Sequence, residues 1–162
     1  MVTEIERDIE LGSLFLSDNL NAKGRVDYPD LIRAAARDGD DVTLAEKIVV
    51  RLNTHEKPRR LKSGGFSQPP IMRVNAHEML AEGEFNRFYI RALCLRAMED
   101  GIPELMVYRA KAVQNARSES ERKIGQSFDP GTLLNDLRAH QGVDTALGLP
   151  AGPNSGLSVR LP

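Results

Sequence analysis

Residues 75–101 read NAHEMLAEGEFNRFYIRALCLRAMEDG. Asn75 and Glu78 have the spacing of a capping box, which marks a helix start. From Glu84 onward Phe85, Phe88, Tyr89, Ala92, Leu93, Leu95 and Ala97 follow so closely that apolar side chains fall on more than one face. A helix of that kind is expected to be central and largely buried. Arg87, Arg91 and Arg96 are spread around the rest of its surface. Gly83 is a candidate bend, and Gly101 followed by Pro103 is a stop signal.

On the C-terminal side, Glu104 to Val113 alternates Leu105, Val107, Arg109, Lys111 and Val113 against Met106, Tyr108 and Ala110, which predicts one edge strand of a small sheet. A short helix is expected near Ser118, ending at Gly125. Asp129 and Pro130 then repeat a helix start, with Leu133, Leu134 and Leu137 on one face. Residues 143–148 suggest one further turn. The closing GLSVRL, residues 156–161, alternates Leu157, Val159 and Leu161 and must pair with something, within the chain or in a neighbour.

On the N-terminal side, two helices are expected. The first runs from Asp27 and Pro29 to Gly39, with Asp27 as cap. The second opens at Thr43, with Glu46 three residues on. Residues 3–20 read as a short helix followed by a strand. The helix pair invites a helix-turn-helix reading, but its turn is acidic and its second helix offers only Lys47 and Arg51 as cations.

Between these halves lies a segment, residues 56–75, that fits neither helix nor strand. It carries Lys57, Arg59, Arg60, Lys62 and Arg73 after Glu56, and residues 57–75 contain no acid. The whole chain has 162 residues and a net charge of −1, and residues 1–56 hold twelve acids against seven bases, so the basic charge is local. An irregular stretch of that length is unusual inside a compact domain. Phe66, Ile71, Met72 and Val74 are costly to leave in water, Pro69-Pro70 favours extension and Gly64-Gly65 supplies a hinge. The expectation is an extended arm with a basic root and an apolar tip. The fold class is then mainly α with a small β component: an N-terminal helical region (1–55), an extended basic arm (56–75), a central helical body with one strand (76–148) and an extended C-terminal tail (149–162).

Enzyme signatures are missing. Lys62 to Ser67 contains Gly64-Gly65 without the spacing of a phosphate loop, and neither His55-Glu56 nor His77-Glu78 continues as a zinc-protease motif. Asp38, Asp40 and Asp41 lack the Gly and Glu of a calcium loop. The single cysteine, Cys94, reads as a buried thiol in a helix. No cofactor is expected. The acidic N-terminus lacks the apolar core of a signal peptide, and no apolar run approaches the roughly 20 residues that span a bilayer. Synthesis in a reducing cytoplasm and no membrane partner are therefore expected.

The helical body around EFNRFYIRALCLRAMEDG, followed by VYRAKAV, FDPGTLL and the tail GLPAGPNSGLSVRLP, resembles the small proteins of tailed-bacteriophage structural gene blocks, over about residues 62–162. The resemblance implies a non-enzymatic virion component: a minor capsid, cement or head-completion protein present in multiple copies. The expected contact residues with other subunits of the capsid or neck are Lys57, Arg59, Arg60, Lys62, Phe66, Ile71, Val74, Leu157, Val159 and Leu161, with packaged DNA as a further partner for Lys57–Lys62. Two rival readings are a small cytoplasmic DNA-binding or regulatory protein using residues 34–62, and an enzyme built on Cys94 or His77.

Overall fold

The structure is a computed structural model that describes residues 1–113, 116, 118–142, 148 and 155–162. Six helices and three strands are present among them: α1 Val2–Glu10, α2 Ala22–Asp38, α3 Asp41–Ile48 continued by a 3-10 turn Val49–Arg51, α4 Ala76–Glu99, β1 Leu105–Arg109, α5 Ser118–Glu121, β2 Ser127–Phe128, α6 Pro130–Ala139 and β3 Leu157–Arg160. The fold is mainly α with one small antiparallel sheet in the order β2-β1-β3.

The helix α4 is the spine. It runs for 24 residues without a break at Gly83, and Asn75 precedes it without a side-chain cap. Its apolar residues point several ways because two cores form against it. Ala81 and Phe88 join Ile5, Leu20, Tyr28, Ile32, Leu44 and Ile48 in an N-terminal core. Ile90, Cys94 and Ala97 join Leu105, Val107, Leu133, Leu134, Leu137, Leu157 and Val159 in a C-terminal core.

Arg91 is a correction to the sequence reading. It is buried, and two carboxylates from α1 hold it: Glu4 Oε2 at 2.6 Å and Asp8 Oδ2 at 2.6 Å. Its guanidinium also lies 4.8 Å from the centroid of the Phe88 ring. Arg138 of α6 reaches the same Glu4 at 2.5 Å. Three helices from distant parts of the chain are thus joined through one internal ion cluster. Burial draws the Glu4 carboxyl upward, but hydrogen bonds from Arg138 and Arg91 more than offset it, and the group stays ionised below its ordinary range.

Helix α2 begins well before Pro29. Asn21 caps it by accepting a hydrogen bond from the Gly24 amide at 2.8 Å, and Pro29 sits inside. Asp27 does not cap; it pairs with Arg51 at 2.8 Å. At α3 the capping box is formed by Asp40 with Thr43, three residues earlier than Thr43 with Glu46. Helix α6 follows its sequence grammar, with Asp129 accepting from the Thr132 amide at 2.7 Å. Residues 13–17 form no strand; Leu14 and Leu16 pack on the N-terminal core instead. The turn expected at 143–148 lies outside the described residues, Gly148 excepted.

One expectation about β structure is overturned and one left open is decided. The strand β1 is central, because β2 pairs on one side and β3 on the other. The C-terminal strand also finds its partner at home. Val159 pairs with Val107 and Ser158 with Tyr108, and the Asn86 side chain of α4 accepts from the Ser158 hydroxyl and donates to the Leu157 carbonyl, both at 2.8 Å.

Candidate functional site

The basic segment is a hairpin, not an unpaired arm. The Met72 amide donates to the Thr54 carbonyl and the Glu56 amide to the Pro70 carbonyl. Nearer the tip, the Ser67 amide donates to the Arg59 carbonyl and the Leu61 amide to the Gly65 carbonyl. The bridges His55–Ile71 and Arg60–Phe66 share one register. The ladder is interrupted between these two halves, where Pro58 and Pro69 bring no amide hydrogen. At the tip, Gly64 and Gly65 have φ of 89° and 81°, a conformation that suits glycine in a short hairpin loop.

The root is fixed to the body. Asn53 donates from its backbone to the Asn19 carbonyl at 2.8 Å, and from its side chain to the carbonyls of Asp18 and Leu20. Lys57 pairs with Asp18 at 2.7 Å, and Arg73 pairs with Glu56 at 2.7 Å across the two arms. Hydrogen bonds from Lys57 and Arg25 hold the Asp18 carboxyl below its ordinary range. Beyond this root most hairpin side chains lie open among the described residues. Phe66 is 70% exposed, Ile71 79% and Val74 94%. Arg59, Arg60 and Lys62 are exposed, and among the described residues Arg60 and Lys62 have no ion pair.

Six of the ten expected contact residues therefore share one projecting element, Lys57, Arg59, Arg60, Lys62, Phe66 and Ile71, and Val74 follows two residues beyond its last ladder hydrogen bond. The other three do not belong with them. Leu157 and Val159 are 0% exposed in the C-terminal core, and Leu161 packs against it. Leu157 and Val159 are satisfied inside the chain and cannot also anchor a partner, and Leu161 is partly buried against the same core.

A concave feature also escaped the sequence reading. A cleft of about 670 Å³ opens between the starts of α3 and α4 and the end of the sheet. Met79, Tyr89 and Tyr108 give it apolar walls, and Asp41, Glu78 and Glu82 give it an acidic rim. Lys111, the cation lining it among the described residues, bonds Glu82. Its residues come from four separated stretches of chain, so no local pattern announces it.

The candidates for catalysis lie elsewhere. Cys94 is buried and its thiol is pushed up to about 12 by burial, so the thiolate needed for attack is scarce at neutral pH. Burial also pushes Glu84 up to about 7, beside Tyr28, whose buried hydroxyl has no hydrogen-bond partner among the described residues. Neither group lines the cleft. Among the described residues no cluster of three or more His, Cys, Asp or Glu could hold a metal ion, and no helix is long and apolar enough to cross a membrane. Compared with family models, curated proteins and solved structures, the chain matches none.

Proposed function

We propose that the protein is a non-enzymatic structural subunit of a tailed-bacteriophage particle, of the minor-capsid, cement or head-completion class, which binds neighbouring subunits through the hairpin of residues 54–72. It is made in the host cytoplasm and resides, in multiple copies, in the virion. The observation that carries this reading is the fixed root and bare tip of the hairpin. A preformed ribbon loses little entropy on docking. Phe66 and Ile71 supply the apolar contact, at about 25 cal/mol for each Å² removed from water. Arg59, Arg60 and Lys62 direct the approach toward an acidic surface.

Limited trypsin digestion tests it. The free protein is cut rapidly after Arg59, Arg60 or Lys62, and the same bonds are cut slowly when the protein is in its particle. Equal cutting in both states would refute the proposal.

A second reading, binding of duplex DNA, is favoured by one observation: a two-stranded basic ribbon fits a major groove. The helix pair α2–α3 is a poorer reader, since Leu44, Ala45 and Ile48 face the core and Asp40 and Asp41 stand at the start of its second helix. A steep fall of DNA affinity with salt, lost on replacing Arg59, Arg60 and Lys62, selects this reading over the first.

A further inference from the structure

We infer that the hairpin's docking partner is a second copy of this chain, whose cleft between α3, α4 and the sheet receives it. The inference rests on the proposed use of the hairpin as a docking element and specifies what it docks into. Three observations meet here.

The first is charge. Beyond the Lys57–Asp18 and Arg73–Glu56 pairs the hairpin presents exposed Arg59, Arg60 and Lys62 and no acid, while the cleft rim carries Asp41, Glu78 and Glu82 against Lys111, itself engaged by Glu82. The second is the apolar match. Leu61 and Phe66 are exposed on the hairpin, and the cleft offers Met79, Tyr89 and Tyr108. The exposed Tyr89 ring also presents a face to an arriving guanidinium.

The third is placement. Asn75, where the hairpin's return arm passes into α4, is itself a cleft residue. Donor and acceptor thus adjoin along the chain at Asn75. Two copies related by a two-fold axis can each lay a hairpin into the other's cleft, which doubles the contact and closes the assembly as a dimer. The chain does not satisfy its own hairpin, since Phe66 remains exposed and Asn53 and Lys57 hold the root toward Asp18–Leu20.

Sedimentation of the intact protein over a range of concentration and salt tests the inference, with two charge reversals. One carries Arg60→Glu with Lys62→Glu, the other Asp41→Lys with Glu78→Lys. Wild type is expected to dimerise, more weakly as salt rises. Each reversal alone is expected to raise the dimer Kd roughly tenfold or more, and an equimolar mixture of the two to restore it, because like charges then meet only within each variant. That restoration also shows both variants to be folded. A wild type that stays monomeric, a dimer that survives both reversals, or a mixture that fails to re-form it overturns the inference. If wild type is monomeric but its hairpin is protected from trypsin in particles, the assembly reading stands with another occupant; without that protection both fall.

Discussion

One guanidinium, that of Arg91, sits where an aliphatic side chain would ordinarily be, and it holds Glu4 and Asp8 in the interior. Removing one member of such a cluster leaves charges buried without partners, which costs more than the cluster contributes. Arg91→Met is therefore expected to lower stability by about 3–5 kcal/mol in urea denaturation. Adding Asp8→Leu should recover a large part, because Glu4 keeps Arg138. A loss that the second change leaves untouched would mean that Arg91 acts through shape, not charge. Glu84 gives the opposite case. Burial raises it from 4.5 to about 7, with the Asp8 charge adding and Arg87 and Arg91 opposing. A carboxyl held above its unfolded value binds its proton more tightly in the native state. Its stabilisation is therefore complete below pH 4.5 and is lost as pH rises toward 7. Wild type and Glu84→Gln should be similarly stable below that window. Above it the variant should be more stable by up to roughly 3 kcal/mol. A difference that stays flat across the window refutes the assignment.

At the scale of elements, glycines separate open from crowded helix surface. A Cβ at Gly83 in α4 would meet nothing within 4 Å, since that position faces the cleft. One at Gly24 in α2 would lie 2.4 Å from the Arg51 carbonyl oxygen, which already accepts from the Asn21 amide. Gly83→Ala should raise stability by about 0.5–1 kcal/mol through helix propensity alone. Gly24→Ala should lower it by about 1–3 kcal/mol through overpacking; thermal melts compare the two directly. The same distinction explains what could be read from sequence. The helices α4 and α6 were legible because their signals are local: a dense apolar run in one, Asp129 followed by Pro130 in the other. The start of α2 was not, because Pro29 imitates a first turn while Asn21 makes the bond. The two-residue β2 has no periodicity to detect. In the candidate site, the basic and apolar residues of 57–74 stood out by composition, but their pairing did not, because Pro58 and Pro69 break the alternation that marks a hairpin.

At the scale of the whole molecule, a sequence division between an N-terminal region and a later body meets a structure in which α4 supplies side chains to both cores. The ion cluster adds a second tie, since Glu4 of α1 bonds Arg91 of α4 and Arg138 of α6 together. Two cores that share a helix and a buried charge cluster cannot open separately without stranding one or the other. They should therefore unfold as one unit. Leu157, 0% exposed in the C-terminal core, probes this from the end of the chain. Leu157→Ala should cost about 2–5 kcal/mol through the cavity it leaves. In native-state hydrogen exchange the cost should register equally at Val107 in β1 and at Ile32 in α2, although Ile32 belongs to the other core. Loss confined to Val107 would instead show two units that happen to touch. In that case the hairpin would be a linker between them, and its fixed root at Asn53 would no longer argue for a docking element.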